Sequence, residues 1–188
     1  MRADMPLRRD RKDEVNMVKN ILLAGVGGQG AILVSRVLTA GLVKAGYDVK
    51  MSEVHGMAQR GGSVSTQVRY GERVYSPIIG RGEADILVAF EKMEAVRYAE
   101  YLKPNGIAVI NDYEIMPMPV AAGMAEYPQG TVEAMAAAFT SVVIPAARLA
   151  EDLGNIRCMN IVLFGAMVKA LGMTDIDWAE ILRELLPA

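Results

Sequence analysis

A short apolar strand that runs directly into a cluster of glycines is the feature that most constrains this chain. Ile21–Ala24 is uncharged, Gly25-Val26-Gly27-Gly28-Gln29-Gly30 follows it, and apolar residues then recur at helical spacing. Glycine adopts positive φ angles and lets a backbone approach a neighbour or a ligand closely. A helix that begins at such a turn directs its free N–H groups outward, towards any bound anion. The G-x-G-x-x-G pattern between strand and helix therefore predicts a tight turn or a phosphate site.

Strands and helices alternate along most of the chain. The residue patterns predict strands over 19–24, 48–54, 85–90, 107–110 and 141–144, and helices over 28–45, 92–102, 130–138, 145–153, 160–171 and 177–186. Pro104-Asn105-Gly106 is expected to form a turn, and residues 111–129 a loop with a short strand near 124–127. Thr174 or Asp175 is expected to cap the last helix. This alternation predicts an α/β fold with a mostly parallel sheet and helices on both faces, and a βαβ unit at its start.

A second glycine-rich stretch interrupts the alternation. His55-Gly56-Met57-Ala58-Gln59-Arg60-Gly61-Gly62 follows the second predicted strand, at the place where a helix would normally come. Residues 63–70 then alternate between apolar and polar side chains, Gly71-Glu72 fits a turn, and residues 73–76 resume an extended pattern. We therefore expect a β-hairpin after the second glycine cluster.

The composition limits the classes of partner. With 22% charged residues and a net charge of −2, the chain lacks the basic character that suits a nucleic-acid-binding protein. Cys158 is the only cysteine, so this chain alone can build no disulfide, no cysteine-ligated zinc site and no iron–sulfur cluster, and a reducing cytoplasm suits it. No metal site and no membrane span are expected. The high apolar content, 52% of residues, suggests a subunit interface.

The chain has the length of one domain. Its 188 residues are enough for a single core. Residues 1–16 are rich in charged side chains and have no apolar core, so we expect a disordered leader there. Met17 stands directly before the first strand, which suggests a natural start. The predicted domain is therefore 17–188.

The first glycine cluster allows three interpretations: a tight turn without a ligand, a nicotinamide dinucleotide site, or a site for another phosphate group. A dinucleotide site needs an acidic residue at the end of the second strand, about 20 residues further on, to bind the ribose hydroxyls. Glu53 is the nearest candidate, but it leads directly into the second glycine cluster. NAD is therefore the weaker of the two phosphate interpretations.

The second glycine cluster contains the other candidate side chains. His55, the only histidine, lies at the carboxyl end of a predicted strand, where ligands of open α/β sheets gather. This position favours a contact role for His55, and nothing in the sequence indicates that His55 acts as a general base. Arg60 stands beside flexible glycine positions, and its guanidinium can bind a phosphate or a carboxylate or form a salt bridge. Asn155 and Asn160 are interpreted as turn and cap residues.

Together, the two clusters resemble one family, the gamma-type subunits of 2-oxoacid:ferredoxin oxidoreductases. The similar runs are Gly25-Val26-Gly27-Gly28-Gln29-Gly30, Ser52-Glu53-Val54-His55-Gly56-Met57-Ala58-Gln59-Arg60-Gly61-Gly62-Ser63 and Tyr75-Ser76-Pro77. The His-Gly-Met-Ala-Gln-Arg-Gly-Gly segment is typical of the indolepyruvate-type branch. The resemblance extends from Lys19 to about Leu171, and the charged leader departs from it.

The resemblance implies a Rossmann-like domain and a share in one reaction. That reaction is the oxidative decarboxylation of a 2-oxoacid with coenzyme A to an acyl-CoA, carbon dioxide and reduced ferredoxin, carried out with thiamine diphosphate and 4Fe–4S clusters. This chain has no thiamine-type Gly-Asp-Gly motif and one cysteine. Both cofactors are therefore expected on a larger alpha subunit, and none on this chain alone. The preference for an arylpyruvate is implied by the resemblance only.

The resulting hypothesis is a subunit whose glycine clusters bind the phosphates of coenzyme A or contact the alpha subunit. The residues expected to do so are Gly25, Gly27, Gly28, Gln29, Gly30, Gln59, Arg60, Gly61 and Gly62, with His55 as the one catalytic candidate. The expected partners are the alpha subunit, ferredoxin through the complex, coenzyme A and the 2-oxoacid, and the isolated subunit is expected to form a homo-oligomer. A free-standing NAD-dependent dehydrogenase and a purely structural assembly subunit remain as alternatives.

Overall fold

A sheet of six strands forms the centre of the structure, a computed structural model that describes residues 18–55 and 61–185. The strands are β1 (Lys19–Val26), β2 (Asp48–His55), β3 (Ser63–Gly71), β4 (Ala84–Ala89), β5 (Leu102–Asn111) and β6 (Thr140–Ile144). Their order across the sheet is β2-β3-β1-β4-β5-β6. The pairs β1–β4, β4–β5 and β5–β6 are parallel, whereas β3 is antiparallel to both of its neighbours. The predicted leader, residues 1–16, lies outside the described residues.

Helices cover both faces of this sheet. They are α1 (Ala31–Lys44), α2 (Lys92–Arg97), α3 (Met118–Ala121), α4 (Thr131–Ala138), α5 (Ala146–Asp152), α6 (Met159–Ala170) and α7 (Trp178–Leu185). Alternate residues of β1 point to opposite faces. Ile21 and Leu23 pack in the core under α1, α6 and α7, while Leu22 and Ala24 pack in the core under α2 and α4. All four are fully buried, and the predicted α/β fold class is confirmed.

The predicted hairpin is wrong in its pairing. The strand after the second glycine cluster, β3, pairs with β2 on one side and β1 on the other. Residues 73–76 form no strand, because side chains rather than a neighbouring strand hold this segment. The backbone N–H of Val74 donates to Asp48 Oδ2 at 2.8 Å. Arg69 Nη1 donates to the carbonyl of Ser76 at 3.1 Å. In the βαβ unit predicted at the start of the chain, β1 and β2 are therefore not neighbours, because the antiparallel strand β3 lies between them.

Several element boundaries also differ from the predictions. The turn expected at Pro104-Asn105-Gly106 lies inside β5, whose pairing with β4 changes register between Ala84 and Ile86. The helix predicted over 92–102 ends at Arg97 and is followed by a 3₁₀ turn. None of the helices within residues 18–55 and 61–185 is long and apolar enough to cross a membrane.

The last third of the chain brings two further corrections. Residues 124–127 form no strand, and α3 is the regular element of their loop. Asp177 caps α7 in place of Thr174 or Asp175, since its Oδ1 accepts a hydrogen bond from the N–H of Glu180 at 2.9 Å. This is the usual geometry of an N-cap aspartate, which binds the third amide of its helix.

We predict that Gly41→Ala destabilises the fold because α7 packs directly on the backbone of α1. A Cβ at Gly41 would lie 2.1 Å from the Trp178 ring, which itself packs edge-on against Phe164 at 5.1 Å. We expect the free energy of unfolding to fall by about 2–3 kcal/mol. Gly165→Ala is the matched control, since this helical glycine of α6 has open space, and it should stabilise by up to about 1 kcal/mol. Denaturant unfolding measures both, and equal effects would contradict the packing argument.

Candidate functional site

The first glycine cluster forms the turn between β1 and α1. Gly30 is the N-cap residue of α1, with φ 84° and ψ 20°, and it has no side chain to cap the helix. The first intrahelical hydrogen bond is donated by Val34 to the Gly30 carbonyl at 3.2 Å. The amides of Ala31, Ile32 and Leu33 precede it and have no acceptor within the helix. These amides and the positive end of the helix dipole make this turn suitable for an anion.

Glycine is required in this turn for two different reasons. At Gly30 a Cβ would lie 2.3 Å from Asn160 Nδ2, and the φ angle is positive as well. At Gly25, which is still part of β1, a Cβ would lie 2.9 Å from the Cβ of Phe90. Gly28 faces open space and is constrained only by its φ of 106°. The turn is therefore shaped from behind by close packing, whereas Gly28 is open to a ligand.

Gln29 braces the turn from within. Its Oε1 accepts a hydrogen bond from the N–H of Val26 at 2.7 Å, and its Nε2 donates to the Phe90 carbonyl at 2.9 Å. The side chain thus ties the loop to the ends of β1 and β4. Both ends of the amide are used inside the chain, which gives Gln29 a structural role in addition to the predicted contact.

The structure brings the two glycine clusters together. Gly27 N–H donates to the Gly62 carbonyl at 2.8 Å, and Gly61 N–H donates to the Gly27 carbonyl at 3.3 Å. His55 is the last residue of β2 and stands opposite Val64 in register. Of the other predicted contact residues, Gln59 and Arg60 lie outside the described residues. The two clusters therefore meet at the carboxyl end of β1, through Gly27, Gly61 and Gly62.

A cavity of about 310 Å³ lies at the joined loops. The residues that line it are Val26, Gly27, Gly28, Gly30, Ala31, Ile32 and Val64. Ile32 is 45% exposed although it is a large apolar side chain. The cavity therefore combines helix amides with an apolar wall, which suits a ligand that has both a charged group and an apolar part.

Asn160 is the residue of this site that the sequence interpretation missed. It lies on α6 with its amide against Gly30, and it is only 7% exposed. Its Oδ1 has no hydrogen-bond partner among the described residues. A buried polar atom without a partner is costly unless a ligand or water satisfies it. Asn155, by contrast, is the cap that was predicted, since its Oδ1 accepts from the Arg157 N–H at 3.0 Å.

A second cavity, of about 280 Å³, lies beside Lys92 and is polar. Asp112 and Glu114 approach the Lys92 ammonium to 2.6 and 3.0 Å. The pKa of Lys92 is raised, and the largest cause is the hydrogen bond to Asp112. Burial lowers this pKa, and the hydrogen bond to Glu114 raises it again. The ammonium stays charged, but two carboxylates already neutralise it, so this cavity is poorly suited to an anion. The described residues contain no group of three His, Cys, Asp or Glu side chains that could hold a metal ion.

The fold and the joined loops define an α/β protein with a glycine-rich turn between β1 and α1 at the carboxyl edge of its sheet. Residues 20–188 match the family described as pyruvate ferredoxin/flavodoxin oxidoreductase. The chain is 38% identical over 176 residues to indolepyruvate oxidoreductase subunit IorB of Thermococcus kodakarensis, covering 89% of this chain and 86% of that relative. It is 39% identical over 174 residues to the subunit of that name from Archaeoglobus fulgidus, with coverage of 89% and 85%. The chain therefore belongs to the pyruvate ferredoxin/flavodoxin oxidoreductase family, which confirms the resemblance seen in its sequence.

Solved structures share the fold. The gamma subunit of a keto/oxoacid ferredoxin oxidoreductase from Geobacter sulfurreducens superposes with a TM-score of 0.64 at 21% identity, covering 90% of this chain and 87% of that subunit. A 2-oxoglutarate:ferredoxin oxidoreductase from Magnetococcus marinus, solved with 2-oxoglutarate, coenzyme A and succinyl-CoA bound, gives a TM-score of 0.65 at 22% identity. The superposition covers 89% of this chain but only 26% of that longer chain. At these identities the likeness establishes the fold.

We predict that Gln29→Glu destabilises the chain more than a surface change of the same kind. The carboxylate can still accept from Val26, but it cannot donate to Phe90 and would place two acceptors 2.9 Å apart. We expect the free energy of unfolding to fall by about 2 kcal/mol. Gln129→Glu is the matched control, because Gln129 is exposed and its single bond, to the Tyr127 carbonyl, is 3.3 Å long. Denaturant unfolding at pH 7 measures the difference, and equal losses would show that Gln29 does not brace the turn.

Proposed function

We propose that this chain is a subunit without redox cofactors in an indolepyruvate-type 2-oxoacid:ferredoxin oxidoreductase. The relatives that carry the name indolepyruvate oxidoreductase subunit are matched over most of both lengths. The proposed reaction is oxidative decarboxylation of an arylpyruvate with coenzyme A, with ferredoxin as the electron acceptor. The complex would work in the reducing cytoplasm that suits a chain with one cysteine.

The role of this subunit would be to bind coenzyme A at the joined glycine loops. The observation that carries this proposal is the pair formed by the first turn of α1 and the Oδ1 of Asn160, which has no hydrogen-bond partner in the part of the chain that the structure describes. The helix amides suit a phosphate. Asn160 Oδ1 needs a donor, which a phosphate alone does not supply but the hydroxyl and amide groups of coenzyme A do. The apolar wall of the cavity, with Ile32 half-exposed, would contact an uncharged part of the same ligand.

The redox cofactors would lie on the alpha subunit. An iron–sulfur cluster needs several cysteine thiolates, and Cys158 is the only cysteine here. Thiamine diphosphate would supply the carbanion chemistry and the clusters would carry the electrons to ferredoxin. What this chain's own residues would do is hold coenzyme A at the edge of the sheet, next to the partner. Arg60 is proposed to pair with a further phosphate or with the alpha subunit, and His55 to contact substrate.

The structure argues against the NAD-dependent alternative. A dinucleotide site uses an acid on the strand next to β1 to bind the ribose. Here β3 lies between β1 and β2, so Glu53 stands two strand spacings, about 10 Å, from β1. The alternative of a purely structural subunit remains, and the measurements below decide between it and coenzyme A binding.

We predict that Asn160→Asp raises the KM for coenzyme A at least about tenfold in the reconstituted complex. A buried carboxylate beside the start of α1 would repel a phosphate there. A tenfold rise in KM corresponds to a repulsion of about 1.4 kcal/mol. Asn155→Asp is the matched control: Asn155 is an exposed cap, and aspartate caps equally well. The KM for the 2-oxoacid should not change in either variant. Unfolding of each isolated variant checks that it is folded.

Two results would count against this assignment. An unchanged KM for coenzyme A in folded Asn160→Asp would remove the site at the start of α1. For the second cluster, Arg60→Ala is expected to weaken either coenzyme A binding or the affinity for the alpha subunit, because a guanidinium binds phosphate and carboxylate groups. If both were unchanged, Arg60 would have neither proposed role.

A further inference from the structure

A buried carboxylate lies directly behind the joined glycine loops. Glu94 is on α2, and its side chain is 2% exposed. Burying an ionised carboxylate is costly unless charge and hydrogen bonds compensate it, and an apolar side chain of similar volume often stabilises a fold at least as well. The hydrogen-bond partners of the Glu94 carboxylate therefore indicate its role.

The two carboxylate oxygens of Glu94 have separate partners. Oε1 accepts from Arg97 Nε at 3.0 Å, and Arg97 is half-exposed on the same helix. Oε2 accepts from Ser63 Oγ at 2.5 Å, and the Tyr98 hydroxyl lies 3.3 Å from the same Ser63 oxygen. The bond from Ser63 is charge-assisted, and such bonds are shorter and stronger than neutral ones.

Ser63 is the residue at which the second glycine cluster becomes a strand. It follows Gly62 directly and pairs in register with Val26, the last residue of β1. The Gly62 carbonyl accepts a hydrogen bond from the Gly27 N–H, and the Gly27 carbonyl accepts one from the Gly61 N–H. Glu94 thus holds the chain one residue away from the hydrogen bonds that join the two loops.

The helix that carries Glu94 is itself fixed at its start. Glu91 caps α2, since its Oε2 accepts from the N–H of Glu94 at 3.0 Å. The other oxygen of Glu91 accepts a hydrogen bond from the hydroxyl of Tyr127, and both residues are buried. A side chain on an anchored helix can set a loop position accurately, whereas one on a mobile loop cannot.

We propose that Glu94 is a positioning residue for the ligand site. Its charged hydrogen bond to Ser63 fixes the register between Gly61-Gly62 and Gly27, and so fixes the turn in front of α1. The consequence for coenzyme A rests on the proposed function, whereas the consequence for the loops does not. The two consequences are measured separately below.

The first experiment measures amide hydrogen exchange by NMR in the full chain. Glu94→Gln keeps the shape and removes the charge, and Ser63→Ala removes only the hydroxyl. We expect the Gly27 and Gly61 amides to exchange at least about tenfold faster in both variants, because the loops then open locally more often. The double variant should be no worse than the more affected single one, since both changes remove one interaction.

Two changes of the same chemistry serve as controls. Ser141→Ala removes a hydroxyl on β6 that donates to the Phe139 carbonyl at 3.2 Å. Glu100→Gln removes an exposed carboxylate that pairs with Arg81 at 3.3 Å. Neither should change exchange at Gly27 or Gly61. If the Glu94 and Ser63 variants also leave these amides unchanged, or if the controls accelerate them equally, the positioning role is overturned.

The second experiment measures steady-state kinetics of the reconstituted complex. Glu94→Gln and Ser63→Ala should raise the KM for coenzyme A several-fold, with kcat and the KM for the 2-oxoacid nearly unchanged. Faster exchange without a change in this KM, while Asn160→Asp does raise it, would overturn the link between Glu94 and the ligand. If Asn160→Asp leaves it unchanged as well, the proposed function fails, whereas the loop positioning stands on the exchange data.

Discussion

The carbonyl of Phe90, at the end of β4, is the point on which the arrangement of the site depends. It accepts hydrogen bonds from Gln29 Nε2 at 2.9 Å and from Asn111 Nδ2 at 3.1 Å. The neighbouring Phe90 Cβ occupies the space that a side chain on Gly25 would need. Asn111 also accepts the N–H of Ala146 at 3.0 Å and so fixes the start of α5. The ends of β1, β4 and β5 are therefore tied to one buried position.

This anchoring separates a rigid framework from a surface that is free for a ligand. The Gln29 amide and the Phe90 carbonyl are hydrogen-bonded to each other, and Phe90 packs closely against Gly25. The amides at the start of α1 and the Oδ1 of Asn160 have no such partner among residues 18–55 and 61–185. Native proteins rarely leave a buried polar atom such as Asn160 Oδ1 unpaired, and this supports the proposal that a further molecule binds there. The apolar wall beside them explains why that molecule would be larger than a simple phosphate.

Local sequence patterns predicted most of the helices and strands, but not the order of the strands in the sheet. The β1–α1 turn and the strand after the second cluster follow from glycine placement and from alternation, which act within a few residues. That β3 inserts between β1 and β2 depends on pairing over long distances, and the side chains of Asp48 and Arg69 that replace a partner strand for residues 73–76 have no local signature. A strand pattern alone does not reveal which neighbour it will pair with.

The site was predictable to the same extent. The structure joins Gly27 to Gly61 and Gly62, whereas the ligand contacts predicted for these glycines stay predictions. Gln29 was expected only as a contact, and its hydrogen bonds show that it also braces the turn. Asn160 was interpreted as a cap because asparagine is common at helix ends. Its place at the candidate site becomes visible only in the structure, where Asn160 is buried against Gly30, 130 residues away along the chain. An asparagine on a helix whose only other polar side chain is Lys169 is the signal that could have revealed it.

The most direct test of a coenzyme A site at the joined loops is hydrogen exchange of the assembled enzyme with and without coenzyme A. Peptides that cover the first turn of α1, Ala31 to Leu33, should exchange more slowly when coenzyme A is present. Peptides around Lys92 and Asp112, at the second cavity, should not change. Unchanged exchange at α1 under conditions in which coenzyme A saturates turnover would contradict the assignment of this turn as its binding site.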